Sequence, residues 1–454
     1  MDNVRKNIFL ALILLFFLST RFYKISQVPG SLYWDEASIG YNAYSVLKTG
    51  KDEWGEFLPL HFRAFGEFKL PVYIYSVLAA EWVFGLTQFS VRAPAVIYGA
   101  MAVLGLYLLM LKVSRNKTIA LVSSFLFSIT PWFFIFSRTG YEATAGLAFF
   151  IFALYFLIQA FTKKWQLALS VFCFILAMYS YNSFRILTPL FLAPGLFVFA
   201  LRTKKRGVYP LLISLAVFFL SLYPIYRLYV QDVGLVRYQT VVSSESVLAN
   251  YLSHFSYNFL FSVGDPNPRS QIPGTGQLYL IDLPFLILGL IYIFKKKSLK
   301  YFTILAALLV SFVPAAITKE SPHALRSILT APVLAVISSL GIYWLAGFFK
   351  KYYRFVLAGV VGLYLVFFGG YFCRFLTSYN ESTSVDWQEP YKEIFTNQKG
   401  GMVIDKYGQP YIFALFYTRA DPEMFRDTKQ LNPVSDWGFS TVKSFNSFEF
   451  VKHE

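Results

Sequence analysis

Apolar runs long enough to cross a lipid bilayer recur along most of this chain. A run of about 18 or more apolar residues with few charges is typical of a membrane-spanning helix, because it must cover about 30 Å of hydrocarbon. The apolar segments cover residues 8–25, 71–86, 91–111, 118–136, 144–161, 166–181, 184–201, 208–229, 278–294, 301–317, 326–347 and 355–373. The pattern predicts an all-α polytopic membrane protein.

Basic residues lie in the connections between these segments and decide the predicted topology. If segment 71–86 lies in the membrane plane and the others span, about 11 spans remain. The basic clusters then share one face: Arg5/Lys6, Lys112/Arg115/Lys117, Lys163/Lys164, Arg202/Lys204/Lys205/Arg206, Lys295/Lys296/Lys297/Lys300 and Lys350/Lys351/Arg354. By the positive-inside rule this face is cytoplasmic. We therefore expect a protein integral to the plasma or inner membrane, with its N-terminus in the cytoplasm.

The loops on the other face are predicted to be external, and they hold most of the acidic, Gly- and Pro-rich sequence. They cover residues 26–90, 137–143, a tight turn at 179–185, 230–277, 318–325 and a tail from about 374. Within the first loop, the apolar spacing over 37–47 predicts an amphipathic helix along the membrane surface. The tail has a strand-like run at 402–404 and a helix-like stretch at 409–417. We expect a transmembrane domain over 1–373 and a small external α/β appendage over 374–454.

Composition excludes several classes of protein. The chain has 454 residues, of which 56% are hydrophobic, whereas soluble proteins have roughly 45–50% apolar residues. The net charge of +16 comes mostly from the basic loops and does not indicate nucleic-acid binding. Cys173 and Cys373 both lie in apolar segments, which argues against a disulfide framework or a thiolate metal site.

Two adjacent carboxylates, Asp35 and Glu36, follow Trp34 near the start of the first external loop. They could simply cap a helix that begins near Ala37, because acidic residues favour a helix N-terminus. A third acid, Glu142, begins the apolar helix after the second external loop. Paired carboxylates could accept a proton from a hydroxyl group as a general base. Asp35 and Glu142 could instead coordinate a divalent cation, and no motif indicates any other cofactor.

The external loops also hold cationic side chains: Lys69, Arg92, Arg138, Arg185, Arg269, His323 and Arg326. Arginine at a membrane boundary can reach lipid headgroups without further function, but it also binds phosphate in a bidentate manner. Acids and cations on one face are what sugar transfer from a lipid-phosphate carrier requires. The leaving polyprenyl phosphate needs its charge neutralised, and the acceptor hydroxyl needs a base.

Several motifs together resemble the GT-C-fold glycosyltransferases of the protein O-mannosyltransferase and lipid A aminoarabinose transferase group. The resemblance rests on Tyr33-Trp34-Asp35-Glu36, Glu67-Phe68-Lys69-Leu70-Pro71, Val91-Arg92-Ala93-Pro94, the segment from Pro131 through Ser137-Arg138 to Glu142, and His323 with Arg326. It implies a GT-C fold, a polyprenyl-phosphate sugar donor, inversion at the anomeric carbon and a site on the external face. Phe68 is an insertion relative to the family pattern, and Leu70 replaces a proline.

The resemblance also implies roles for individual residues. Asp35 would be the base, with Glu36 in support and Glu142 as a second acid. The expected phosphate-binding residues are Lys69, Arg92, Arg138, Arg185, His323 and Arg326. The expected substrate-binding residues are Glu67, Tyr141, Tyr181, Asp265 and Arg269. The resemblance does not determine whether the acceptor is a protein, a lipid or a polysaccharide.

Two other functions fit a polytopic membrane protein. A transporter or flippase of lipid-linked saccharides would place charged groups near the bilayer midplane and often shows repeated halves. Here the charges lie at the external ends of the segments and no repeat is visible, although Glu81 would be a midplane candidate if 71–86 spanned. A non-catalytic scaffold would not need so many ionisable groups on one face. The sequence therefore favours the transferase.

Overall fold

Helices make up most of the protein, whose computed structural model describes residues 2–230, 246–434 and 440–452. Within residues 2–7 only the backbone is described, so the Arg5/Lys6 part of the topology prediction lies outside the described side chains. Residues 231–245, in the predicted fourth external loop, lie outside the described residues. The other predicted elements can be compared with the structure directly.

Each predicted apolar segment forms a helix. In chain order these are α1 (Asp2–Phe22), α3 (Pro71–Phe84), α4 (Gln88–Ser114), α5 (Lys117–Ile129), α6 (Pro131–Phe134), α7 (Ala143–Ala160), α8 (Gln166–Met178), α9 (Asn182–Thr203), α10 (Val208–Ser221), α11 (Tyr223–Val230), α13 (Asp282–Lys296), α14 (Leu299–Ser311), α15 (Val313–Ala316), α16 (Thr330–Phe348) and α17 (Tyr353–Thr377). Between α11 and α13 lies the short α12 (Val247–Ser253). The prediction of an all-α polytopic protein is confirmed.

Length and composition mark six helical stretches of the described chain as able to cross a membrane. They are Gln88–Ser114, Ala143–Ala160, Asn182–Val230, Leu299–Ala316, Thr330–Phe348 and Lys350–Thr377. Shorter apolar helices include Pro71–Phe84, which at 14 residues and 1.5 Å per residue is about 21 Å long. The α5 and α8 helices are shorter still. The count of about 11 spans, with α3 in the membrane plane, therefore stays a prediction.

Glycines let two of the membrane helices touch backbone to backbone. A Cβ atom on Gly289 of α13 would lie 2.0 Å from the carbonyl oxygen of Ile337 in α16. Likewise, a Cβ atom on Gly341 of α16 would lie 2.1 Å from the carbonyl oxygen of Phe285. Small residues at such crossings favour close packing where water offers no hydrophobic driving force. These glycines fix the contact between α13 and α16 at one side of the large apolar core.

The first external loop folds into α2 (Trp34–Thr49) and a small hairpin of β1 (Phe62–Arg63) and β2 (Phe68–Lys69). The α2 helix begins after Tyr33, whose backbone is extended, and it ends at Gly50 in the left-handed conformation that glycine tolerates best. A helix is thus observed over the predicted residues 37–47, slightly longer than expected. Residues 36–43 are all buried, so its position along the membrane surface stays a prediction. The hairpin pairs Phe62 with Lys69, which leads directly into Pro71 at the start of α3.

The tail forms the predicted small α/β unit. It contains α18 (Tyr379–Thr383), α19 (Glu389–Asn397), β3 (Gly401–Asp405), α20 (Pro410–Tyr417), α21 (Pro422–Thr428), β4 (Gln430–Leu431), β5 (Val442–Phe445) and β6 (Phe448–Lys452). The strands are ordered β3-β6-β5-β4, with β3 parallel to β6 and the other pairs antiparallel. The helix preceding this unit continues to Thr377, beyond the predicted boundary at 373.

The apolar core of this unit is shared with the first external loop. Buried side chains of α20, such as Phe413 and Phe416, belong to the same cluster as Tyr41 of α2 and Tyr73 of α3. About eighty residues supply only a marginal core of their own. Packing against α2 enlarges that core and ties the tail to the loop that bears Asp35.

Candidate active site

Lys69 lies among three carboxylates in the loops predicted to be external. Its Nζ atom is 2.7 Å from Asp35 Oδ1, 3.3 Å from Glu67 Oε1 and 3.7 Å from Glu142 Oε1. The Lys69 side chain is only 3% exposed, whereas Asp35 is 28% exposed and is the most accessible of the three acids. One buried ammonium therefore holds three acids together, and Asp35 retains access to solvent.

Secondary structure brings these residues together from distant parts of the sequence. Asp35 lies in the first turn of α2, and Glu142 directly precedes α7. Helix N-termini carry partial positive charge, which stabilises a nearby carboxylate. Lys69 reaches the same place at the end of the short β2 strand. The site is therefore built from two helix starts and one hairpin.

Burial and charge perturb the ionisation of this cluster. Burial raises the pKa of Glu142 to about 7, partly opposed by Lys69 and reinforced by Asp35 and Glu67. Burial alone would lower the pKa of Lys69, but the carboxylates of Asp35, Glu142 and Glu67 raise it above its ordinary value. Lys69 therefore stays protonated at physiological pH, whereas Glu142 gains or loses its proton near neutrality.

A cavity of about 280 Å³ opens beside this cluster. Predicted site residues that line it are Asp35, Glu67, Lys69, Tyr141, Glu142, Tyr181, Arg269, His323 and Arg326. The fold thus brings together residues from five loops that the sequence placed on one face. Trp34, Asn182 and Asn267 also line the cavity and were not predicted. Their only sequence signal was their position next to predicted residues.

Arg269 places a cation in the wall of the cavity. Its guanidinium lies 3.7 Å from the centre of the Tyr33 ring, and its Nη1 atom donates to the carbonyl oxygen of Asp386 at 3.3 Å. Its buried Nε atom has no hydrogen-bond partner within the described part of the chain. Burial would lower the pKa of Arg269, but Tyr141, Tyr33 and Asp35 raise it. An anion bound in the cavity would satisfy this guanidinium.

Arg326 and His323 add polar groups from the segment that precedes α16. Arg326 donates to Thr318 Oγ1 at 2.9 Å and to the exposed Glu320 at 3.0 Å. Burial lowers the pKa of His323 well below its ordinary value, and the nearby Arg326 lowers it further. Although His323 Nδ1 lies 3.7 Å from Asp265 Oδ2, this geometry does not amount to an ion pair because the ring is neutral. His323 can therefore contribute hydrogen bonds but no charge.

Asp265 differs from its predicted role in substrate binding. It is 3% exposed, and it accepts hydrogen bonds from the backbone N–H groups of Asn267 and Ala324. Burial raises its pKa to about 6, and these two donors oppose the rise. Asp265 does not line the cavity; it joins the loop of Arg269 to the segment of His323. Its contacts position other residues.

Glu36 and Arg92 also differ from prediction, because they form a buried bidentate ion pair. Arg92 Nε and Nη2 donate to the two Glu36 oxygens at 2.9 and 3.0 Å, and both side chains are almost fully buried. Arg92 also donates to three backbone carbonyls, and Glu36 accepts from the N–H groups of Gly140 and Tyr33. Neither faces the cavity. Glu36 therefore caps α2, the simpler of the two alternatives, and Arg92 has no donor left for phosphate.

Two further arginines lie away from the cavity. Arg138 is fully buried and donates to the backbone carbonyls of Thr20, Tyr23 and Val28, so it holds α1 against the second external loop. The Nη2 atom of Arg185 lies 3.3 Å from His61 Nε2, and the Nε atom of Arg185 donates to the carbonyl oxygen of Met178. The predicted contact of Arg138 with phosphate is incompatible with these bonds, and Arg185 is not part of the cavity lining.

The acids of the cavity do not fit a divalent cation. Within the described ranges, no group of three or more His, Cys, Asp or Glu residues has the arrangement of a metal site. The Lys69 ammonium lies between the two carboxylates, Asp35 and Glu142, that were expected to bind the ion. A cation there would be repelled by a positive charge that is already in place. The site's own ammonium supplies the positive charge.

Comparison with known proteins agrees with this architecture. Residues 69–226 match the profile of a family described as dolichyl-phosphate-mannose-protein mannosyltransferase. The structure resembles apo ArnT from Cupriavidus metallidurans (12% identity, TM-score 0.59), covering 90% of this chain and 84% of ArnT. ArnT bound to undecaprenyl phosphate is similar at 13% identity and a TM-score of 0.50, with 91% and 84% covered. No curated protein sequence matches the chain.

A second relative is the archaeal oligosaccharyltransferase AglB from Archaeoglobus fulgidus, solved with an inhibitory peptide and a dolichol-phosphate. It shares 14% identity with a TM-score of 0.54, over 92% of this chain. The chain spans only 64% of the length of that oligosaccharyltransferase. These similarities show the GT-C fold. Together with the family match over residues 69–226, they confirm the resemblance to GT-C-fold glycosyltransferases that the sequence predicts.

Proposed function

We propose that this protein moves a sugar from a polyprenyl-phosphate donor to an acceptor hydroxyl group, with inversion at the anomeric carbon. The observation that carries the proposal is the accessible Asp35 carboxylate, held by Lys69 in a cavity that also contains Arg269 and Arg326. The structures of relatives with dolichol-phosphate and undecaprenyl phosphate support a lipid-phosphate donor.

Asp35 is the proposed general base. Its carboxylate accepts the proton of the acceptor hydroxyl while that oxygen attacks the anomeric carbon of the donor sugar. The bond between the anomeric carbon and the phosphate oxygen breaks on the opposite face, and the electron pair leaves with the polyprenyl phosphate. A positioned base of this kind contributes roughly 10²–10⁴-fold to a rate. Lys69 holds the Asp35 carboxylate in place, which revises its expected role as a phosphate ligand.

Arg269 and Arg326 are the proposed partners of the leaving phosphate. Both line the cavity, and each guanidinium brings a positive charge to it. Charge that develops as the glycosidic bond breaks is best stabilised by donors fixed in advance. The stacking of Arg269 on Tyr33 and the bonds of Arg326 to Thr318 and Glu320 supply this fixation.

We also propose that the site faces the exterior and that the N-terminus is cytoplasmic. The cavity residues all come from loops opposite the basic clusters, and positively charged loops favour the cytoplasm. Glu67, Tyr141 and Tyr181 remain proposed contacts for the sugars, since all three line the cavity. The acceptor, whether protein, lipid or polysaccharide, enters this proposal only as a hydroxyl group.

The test uses the purified full-length protein in lipid nanodiscs with a panel of radiolabelled polyprenyl-phosphate sugars and mixed acceptors. Asp35→Asn should reduce transfer at least ~10²-fold without loss of donor binding, because the amide cannot accept the proton. Asp427→Asn, the same change at an exposed position of α21, serves as the matched control. Undiminished transfer by Asp35→Asn would refute the assignment of the base. Donor movement across the bilayer of sealed proteoliposomes, without any transfer, would favour a flippase.

A further inference from the structure

The segment that leads into Asp35 is hydrogen-bonded by the C-terminal α/β unit. Lys392 donates to the carbonyl oxygen of Gly30 at 2.5 Å. The Tyr417 hydroxyl accepts from the N–H of Leu32 at 3.3 Å and lies 3.0 Å from Ser31 Oγ. These bonds join residues that are more than three hundred positions apart in sequence. The tail therefore supports the backbone before α2 alongside Arg92 and Arg138, which donate to the carbonyl oxygens of Pro29, Ser31 and Val28.

Another hydrogen bond from the tail lies directly beside Asp35. Gln388 Oε1 accepts a hydrogen bond from the backbone N–H of Trp34 at 3.0 Å. Trp34 is the first residue of α2, and the first N–H groups of a helix have no partner within the helix itself. Gln388 supplies that partner from the tail. The start of the helix that bears Asp35 is thus capped by a residue 354 positions away.

The orientation of the Gln388 amide is fixed by its other bonds. Its Nε2 atom donates to the carbonyl oxygens of Tyr407 at 2.6 Å and Gly408 at 2.9 Å. Gln388 is 2% exposed, so water does not compete for these groups. The amide therefore meets two acceptors at one end and one donor at the other. A glutamate has the same shape but would face both carbonyls with an oxygen atom.

The side chain of Trp34 is held from the same turn. A Cβ atom on Gly408 would lie 2.3 Å from Trp34 Cζ3, and Gly408 has a φ of +89°, which glycine adopts readily. The indole therefore packs directly against the turn that also accepts hydrogen bonds from Gln388. The tail therefore contacts both the backbone and the side chain of the residue before Asp35, and the indole also packs against the rings of Tyr33 and Phe65.

We propose that the C-terminal α/β unit is a positioning part of the active site, with Gln388 as its central residue. Gln388 does not line the cavity and touches no reacting atom, so it acts through Trp34 on the orientation of Asp35. The inference rests on the proposed function, since it assumes that Asp35 is the base. It assigns the tail a role in the chemical step rather than in recognition of a separate partner.

The test compares Gln388→Glu with Gln398→Glu in nanodiscs. Both substitutions replace a glutamine amide by a carboxylate within the same unit, but Gln398 is exposed at the end of α19. Gln388→Glu should lower kcat by ~10²-fold, since misplacement of about 1 Å can cost that much. The KM for the lipid donor should stay within about twofold of wild type, because Arg269 is bonded to this segment through the carbonyl oxygen of Asp386 and not through the Gln388 amide. Gln398→Glu should match wild type in both parameters.

A second variant separates positioning from folding. Gly408→Ala places a methyl group against the Trp34 indole and leaves the Gln388 amide chemically unchanged, and it should show the same fall in kcat at unchanged donor KM. Equal losses of kcat and donor binding in both variants would indicate a general structural defect and overturn the inference. Wild-type kcat in Gln388→Glu, combined with inactivity of Asp35→Asn, would refute the positioning role and leave the proposed function intact. Inactive wild-type protein would instead count against the proposed function.

Discussion

Removal of the Lys69 charge should destabilise the active site in a manner that depends on pH. The ammonium is 2.7 Å from Asp35 and 3.7 Å from Glu142, and the Lys69 side chain is 3% exposed. Lys69→Met keeps a chain of similar length but leaves three carboxylates facing one another. Loss of one partner of a buried ion pair typically costs roughly 3–5 kcal/mol. We expect a loss of that order at pH 8, together with loss of transfer.

The pH dependence follows from the carboxylates that remain. Burial already raises the pKa of Glu142 to about 7 in the presence of Lys69, and without the ammonium this pKa must rise further. A carboxyl group with a raised pKa in the folded state destabilises the fold as pH increases, because the unfolded chain releases its proton first. The penalty of Lys69→Met should therefore be largest at pH 8 and shrink towards pH 5.

Thermal unfolding in detergent micelles at pH 5 and pH 8 measures this difference. Lys443→Met, which removes an exposed lysine, is the matched control and should change the unfolding temperature little at either pH. Adding Asp35→Asn and Glu142→Gln to Lys69→Met should restore much of the lost stability at pH 8, because the repelling charges are gone. A penalty for Lys69→Met that is equal at both pH values would refute this account of the cluster.

Three further predictions follow from the site. Because burial raises the pKa of Glu142 to about 7, the wild type should lose about 3 kcal/mol of stability between pH 4.5 and 7. Glu142→Gln should abolish this loss, as measured by chemical unfolding at both ends of that range. Arg269→Ala should reduce single-turnover sugar transfer by ~10²-fold, and Arg269→Lys should restore only part of it because lysine cannot stack on Tyr33 in the same way. A chelator should leave transfer unchanged, as tested by parallel assays with and without added Mg²⁺ or Mn²⁺.

Each of these predictions has a contrary outcome. If the stability of Glu142→Gln changed with pH as that of the wild type does, a group other than Glu142 would be the one that titrates near pH 7. Full activity of Arg269→Ala would remove this guanidinium from the phosphate site. Chelator-sensitive transfer that returns on addition of one metal would show that Lys69 moves aside for a cation, against the geometry of the cluster.

The helices were predictable because hydrophobicity leaves little choice in a bilayer. Each apolar segment became helical, and the strand at 402–404 and the helix at 409–417 were also correctly placed. The cluster of Asp35, Lys69 and Glu142 was partly predictable, since positive-inside charges put their loops on one face. The distances between them depend on the β1–β2 hairpin, which is too short to leave a periodic signal.

The roles of the buried charges could not be predicted from sequence. Arg92, Arg138 and Arg269 all lie at loop boundaries and look alike in a linear chain. Their difference is one of partners: Arg92 meets Glu36, Arg138 meets three backbone carbonyls, and Arg269 meets an aromatic ring beside the cavity. These partners are set by long-range packing. The support of Trp34 by Gln388 is likewise invisible, because the two residues lie in separate predicted domains.

The contact between Trp34 and Gln388 has a consequence for biosynthesis. Ribosomes make the N-terminal part of a chain first, so α2 leaves the ribosome long before the tail exists. Every predicted membrane span after α1 is synthesised between these two residues, and the first N–H group of α2 finds its partner only afterwards. A nascent chain that stops before residue 388 would insert its helices but would lack the contact that positions Asp35, the proposed base. Competence for sugar transfer therefore arises late, when translation of the tail closes the site.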